Sequence, residues 1–485
     1  MKHQQLEGNR KMFIEEFKLS GGLSKEQMDV LHEKALYLVE NVGIYIPHQG
    51  ILKKLADYKG VTIKNANVKF KSDLVTKAIE EARYILPDYV KNEWLIDAGA
   101  HQTKTHDLDT GKLRETTLDD LINLIKLGEV YGAVGSAPAV PLDYPTYLQE
   151  ILMHKVAYEY SSRRCNDIFE HMDKQTTMAA KYILEMARTA NKRFTFGIWM
   201  ISPRSFDKNN LEVAYNLLDE GVPMYIATMP IAGVSSPITL MSTILQNMFE
   251  SFAGLTMLNL VNTKSFNYIP PDDAFEADPF DMRYTTFVYG SAEFTRAQVF
   301  KGQLCKFYNI PYVAKSMNPS GKEADEQCAF EVGAHTLITA LLGARVFRTG
   351  GCISSCEITS AEQLVIDYEI VEYIKNLLKV EEFNEERLMI SEIESIGPGQ
   401  SFLDKESTVK NFRKEYWDPQ LFTHSNLGQW INSGSKPLSH YANELAKRKI
   451  SEYSYQIDKN IKKELDKIYE HAKNNQKLKE LYPKN

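Results

Sequence analysis

The side chains best suited to chemistry follow short apolar runs and do not assemble into a ready-made catalytic motif. Glu170 and His171 close "NDIFEHM"; Trp199 and Ser202 end "RFTFGIWMISP"; Thr228 and Met229 sit in "VPMYIATMPIAG". Tyr268 belongs to "SFNYIPP", Ser316 and Asn318 to "PYVAKSMNPSG", and Arg348, Gly350, Gly351 and Cys352 to "ARVFRTGGCISS". Gln327 and Glu331 open the helical stretch "EADEQCAFE". The set is aromatic and mildly polar. It can grip a ligand, but it offers no acid–base pair at a spacing that moves protons.

Each residue also has a structural role open to it. Trp199 and Tyr268 can plug a core as well as face a ligand, since large aromatics are common packing pieces. His171 can be a hydrogen-bonded structural histidine and Arg348 a tether. Glu331 stands four residues before His335 on one predicted helix, where the two can pair with each other. The case for a site rests on convergence of these residues.

Metal and redox chemistry find little support. Cys352 and Cys356 form the only close cysteine pair, with CxxxC spacing, and His335 is a poor complement to such a half-site. Five cysteines in 485 residues fit free thiols in a reducing compartment. No GxGxxG follows the first apolar run, and GxxxxGK[ST] is absent, so dinucleotide and P-loop readings lose support.

The runs imply the elements that position them. Each ends in Gly, Pro or Ser and leads into a helical stretch, which reads as βα units around a parallel sheet. With "GAVGSAPAV" there are seven such runs. They predict a (β/α)₈ TIM barrel over residues 101–400, with active-site loops at the C-terminal strand ends. An eighth strand is expected in "RLMISEIESIG", unless one of the seven lies outside the barrel.

Residues 1–100 read as a helical N-terminal region, including a helix capped by Ser24 and Gln27, and residues 401–485 as a helical extension. "THDLDTGKLRETTLDDLINLIKL" predicts a hairpin and then a helix capped by Thr117 and Asp120. The lysine- and glutamate-rich tail reads as solvated helix.

Bulk composition narrows the function classes. A net charge of -7 and no basic stripe argue against nucleic acid. The N-terminal residues lack an apolar core typical of a signal, and no apolar run is long enough for a membrane span, so a cytoplasmic protein is expected.

Taken together, "LSKEQMDVLHEKAL", "LDTGKLRETTLDDL", "PLDYP", "ADEQCAFEVGAHTLITALLGARVF", "SAEQLVIDYEI", "GPGQSFL", "FRKEYWDP" and "QWINSGS" give a sequence that resembles the trimethylamine methyltransferase superfamily, the corrinoid-dependent methylamine demethylases. The likeness runs along nearly the whole chain. Where the family tends to carry a histidine and a threonine after the glycine-rich segment, this chain has Ser407 and Thr408. All positions are standard residues, so the chain resembles the branch without pyrrolysine.

That resemblance implies demethylation of a quaternary amine such as glycine betaine, proline betaine, carnitine or γ-butyrobetaine. The methyl acceptor would be a corrinoid (cobalamin) carried by a separate small protein. No cofactor is expected to be held tightly by this chain, which lacks the cobalamin-binding pattern DxHxxG. Trp199 and Tyr268, with Tyr225 and Tyr289 in reserve, would cage the ammonium. Arg348 or N–H groups around Gly350 and Gly351 would clamp a carboxylate. The helical appendages leave room for a homo-oligomer.

Overall fold

The computed structural model describes residues 21–82, 93–163 and 176–482. Its centre is a set of parallel strands. Phe196–Ile201 pairs with Met224–Thr228, which pairs with Asn267–Tyr268. Val313–Ala314 pairs with Val346–Gly350, which pairs with Leu95–Ala98. A parallel bridge from Asp97 to Val134 brings in the "GAVGS" run. Among the described residues the two sets do not join into a closed ring, and the architecture is α/β.

Side chains from these segments converge. Leu95, Val134, Tyr225, Ala227, Tyr268, Val313 and Val346 form one buried cluster, with Trp199 and Phe266 packed against it. A separate, larger core lies between strands and helices. Two buried layers of this kind follow from strands whose alternate side chains face opposite ways. The helix Leu240–Val261 is apolar nearly all round because it is buried nearly all round.

The sequence expectations meet the structure unevenly. The Ser24–Gln27 and Thr117–Asp120 capping boxes both form, on helices Lys25–Asn41 and Leu118–Tyr131. The predicted hairpin is the antiparallel pair Lys104–His106 and Leu113–Glu115. "RLMISEIESIG" is not a strand: it carries the helix Ile390–Ser395. The extra parallel strand is Leu95–Ala98, inside the region read as helical, and a short sheet of Ile44–Tyr45, Val61–Lys64 and Asn67–Phe70 lies there too. The reason is physical: in "LIDA" the third position carries Asp97, a carboxylate that interrupts the apolar run and lies beside Arg348 in the fold.

The basic tail is docked and not merely solvated. Leu465, Ile468 and Ala472 of helix Lys459–Asn474 are buried, and Lys155 of the body lies 2.7 Å from Asp466. No helix among the described residues is long and apolar enough to cross a membrane.

Candidate functional site

A charged layer sits above the apolar cluster, at the C-terminal ends of the parallel strands. Arg348 emerges from its strand two residues after Val346. Its Nη1 lies 2.5 Å from Asp272 Oδ2 and 3.5 Å from Asp273 Oδ1, and its Nε lies 3.5 Å from Asp97 Oδ2. Burial alone would lower the arginine pKa, but the three carboxylates outweigh it, so the guanidinium stays charged.

Lys315, just beyond Val313–Ala314, lies 3.5 Å from Asp278 and 4.5 Å from the centre of the Tyr289 ring. The neighbouring carboxylate keeps it protonated against the effect of burial. Asp278 itself is pushed up by burial to about 6 and so remains ionised at neutral pH. Arg348 and Lys315 thus share one buried layer with the carboxyl groups of Asp97, Asp272, Asp273 and Asp278.

Close backbone approach makes this layer possible. Gly135 has φ +100°, and a Cβ there would fall 1.9 Å from Asp97 Oδ1. A Cβ on Gly350 would fall 2.2 Å from Ile96 Cγ2. A Cβ at either position would have to displace these side chains, and at Gly135 it would also meet a left-handed backbone.

The hairpin Cys352–Ile353 and Ile358–Thr359 covers the end of the last strand. Its turn holds Ser354, Ser355 and Cys356 in consecutive left-handed conformations, φ 56°, 53° and 75°. Bonds from Ser354 N to Gly321 O (2.6 Å) and from Ser355 N to Pro319 O (2.8 Å) pin it. Cys356 Sγ lies 3.7 Å from Cys352 Sγ and accepts from Gln102 Nε2 at 3.1 Å. The hydrogen bond with Cys352, helped by the charges of Lys315 and Arg348, overcomes burial and lowers the Cys356 thiol to about 7. Burial drives Cys352 the other way.

The residues singled out in the sequence fall into groups. Trp199 and Tyr268 share the apolar cluster, where the Tyr225 and Tyr268 rings lie 5.5 Å apart. Thr228 and Ser202 both donate to Glu250, Ser202 at 2.6 Å. Tyr289 stacks on Phe287 at 5.3 Å and its hydroxyl lies 3.8 Å from Met229 Sδ. Gln327 donates to Glu331 at 2.8 Å, and Glu331 accepts from Ser320 N–H at 2.6 Å, so Glu331 has these partners besides any His335 contact.

Gly351 N–H donates to Asp367 at 2.7 Å, which occupies one of the proposed clamp donors. Glu170 and His171 lie outside the described residues. Among the described residues no three His, Cys, Asp or Glu side chains group as metal ligands.

Asn318 differs from all of these. It is buried, and neither atom of its carboxamide has a hydrogen-bond partner among the described residues. It follows Met317, whose N–H bonds to the Arg348 carbonyl at 3.2 Å, so it belongs to the same end of the sheet. An unsatisfied buried amide costs about 1–3 kcal/mol, and such groups in native folds mark a missing polar ligand or water.

Sequence reasoning missed Asp97, Asp272, Asp273, Asp278 and Lys315. The run "PPDDAFEADP" carried the signal, four acids behind a strand end, but its lack of apolar periodicity made it read as loop.

The family model described as trimethylamine methyltransferase matches residues 2–476. The chain belongs to this family. Trimethylamine methyltransferase of Methanosarcina acetivorans is 27% identical over 277 residues, covering 56% of this chain and 54% of that relative. With such Methanosarcina relatives, then, the match spans about half of their length. Glycine betaine methyltransferase of Desulfitobacterium hafniense is 22% identical over 426 residues, 84% of this chain and 88% of that one. The solved monomethylamine methyltransferase of Methanosarcina barkeri aligns over 94% of this chain at 12% identity and a TM-score of 0.47, too distant to carry an argument.

Proposed function

We propose that this member of the trimethylamine methyltransferase family removes a methyl group from a quaternary amine of betaine type and passes it to the Co(I) of a corrinoid carried by a separate protein. The observation that carries this reading is the convergence of the Trp199 and Tyr268 rings on one apolar cluster beside buried carboxyl groups of Asp97, Asp272, Asp273 and Asp278. Carboxylates in a low-dielectric layer favour a cation that needs no hydrogen bond. A quaternary ammonium is such a cation, and ring faces add about 0.5–2 kcal/mol each. Trp199 and Tyr268 are the rings we assign to it, and Asn318 to the polar end of the molecule; Arg348 is engaged by Asp272, Asp273 and Asp97. Thr228, Gln327, Glu331, Gly350, Gly351 and Cys352 complete the site in this reading.

The reaction is an in-line displacement. An external two-electron nucleophile attacks the methyl carbon, and the C–N bonding pair leaves on nitrogen as a neutral tertiary amine. No proton moves, so no general acid is required. The reduced corrinoid supplies that nucleophile when its carrier docks. The chain contributes alignment, worth several kcal/mol of barrier, and exclusion of water while positive charge disperses.

The fold that suits this role is a closed (β/α)₈ barrel, and the convergence of side chains from seven segments on one cluster supports it. The protein would act in the cytoplasm. The test is to mix purified protein with a reduced corrinoid protein and a panel of quaternary amines and follow the corrinoid spectrum. Methylation with at least one betaine is expected; none with any quaternary amine removes the reading.

A further inference from the structure

We infer that the segment 380–416 is an interface between copies of this chain. It leaves the body after helix Ala361–Leu377 and returns where Trp417 packs edge-on against Tyr373, at 5.8 Å between ring centres, and where Leu421 and Phe422 N–H donate to Glu369 at 2.8 and 2.9 Å. Between these points the chain forms the helices Glu385–Leu388, Ile390–Ser395 and Glu406–Glu415, and none of them buries a single residue.

The segment has the internal order of a folded element. Arg387 makes two bonds of 2.6 Å to Glu415, and Ser407 donates to Glu392 at 2.5 Å, which ties the last helix to the first and to the second. Yet Phe383 is 87% exposed, Leu403 81%, Tyr416 78% and Val409 60%, with Ile393 and Phe412 also open to solvent. An ordered arm that presents this many large apolar side chains is far from the scattered single residues of an ordinary surface.

A second copy of the chain fits this surface better than a transient partner. A carrier that docks and departs in every turnover uses an interface no more apolar than ordinary surface, whereas permanent homodimer interfaces are distinctly more apolar. Three of the six exposed side chains are aromatic, each able to bury ~150–250 Å². With the aliphatic three they approach the ~800 Å² per partner that a stable interface needs. Two copies related by a twofold axis cover both arms at once, and the arm of one copy meets the same surface on the other.

The experiment is the mass of the purified full chain by light scattering, for wild type and for the double variant F383D/L403D. Wild type is expected as a dimer or a multiple of it, and the variant is expected to fall towards the single-chain 55.4 kDa. In parallel, hydrogen exchange on wild type should show arm amides protected at high concentration and released on dilution, a readout that holds even if the variant fails to fold. A wild-type mass of one chain overturns the inference, as does an assembly whose mass and arm protection ignore both the substitutions and dilution. Arm protection that arises only on adding a corrinoid protein also overturns it, and moves the surface to that partner. None of these outcomes depends on the substrate.

Discussion

Arg348 and Asp272 form a buried ion pair, Nη1 to Oδ2 at 2.5 Å, at the point where the last parallel strand meets the acidic loop after Asn267–Tyr268. The pair ties together segments about seventy-five residues apart in sequence and fixes the sign of the whole layer. Arg348→Met removes the cation that Asp97, Asp272 and Asp273 share. The expected loss is about 3–5 kcal/mol in urea unfolding. Adding Asp272→Asn to that variant should recover part of the loss; an unchanged double variant would mean that the pair is not the source.

Asn318 should behave in the opposite way. Because its carboxamide has no hydrogen-bond partner among the described residues, Asn318→Ala is expected to leave stability unchanged or slightly raised, while methyl-transfer efficiency falls about three- to tenfold through KM, the worth of one hydrogen bond. A purely structural residue would show the reverse pattern, lost stability with unchanged transfer.

Among the cysteines of the described residues, Cys356 should be the most reactive thiol. Its pKa of about 7, set first by the bond to Cys352, predicts an alkylation rate that reaches half its maximum near pH 7. Cys305, raised by burial to about 12, serves as an unreactive internal control. Cys352→Ala should move the Cys356 profile to higher pH. Mass mapping of a small haloacetamide label reads both results, and a Cys356 profile indistinguishable from that of Cys305 would contradict this assignment.

Stability should decline with rising pH on account of Asp367. Burial raises it from 3.8 to about 7, against the opposing bonds from Gly351 N–H and Gln363. Between about pH 4 and pH 7 the folded chain therefore holds this proton more tightly than the unfolded chain. The stabilisation is complete below about pH 4, is lost as pH climbs to about 7, and then levels. Asp278 contributes in the same direction up to about 6. Asp367→Asn should gain on wild type between pH 4 and 8 by up to about 4 kcal/mol. Parallel unfolding curves at both pH values would count against it.

Much of this was legible from periodicity and caps. The runs ending at Trp199, Thr228, Tyr268 and Arg348 are strands because β-branched and aromatic residues fill both faces of a buried parallel sheet. What stayed hidden was polar. Leu95–Ala98 was missed because Asp97 faces inward, and the carboxylate loop because acids carry no apolar period. Rings read as a ligand cage share an apolar cluster with Val134 and Val346, a packing relation that spacing alone does not encode. The tail read as solvated docks because its buried side, Leu465, Ile468 and Ala472, recurs at helical spacing among many charges.

The central claim is that this chain delivers the methyl group of a cationic donor to an external corrinoid. Its most direct measurement is a single-turnover reaction of betaine carrying isotopically labelled N-methyl groups with the purified protein and a reduced corrinoid protein. The account predicts one labelled methyl on cobalt for each tertiary amine released, with no exchange of label into water. Label that stays on nitrogen while the amine binds, or a methyl that leaves only in the absence of the corrinoid protein, would contradict it.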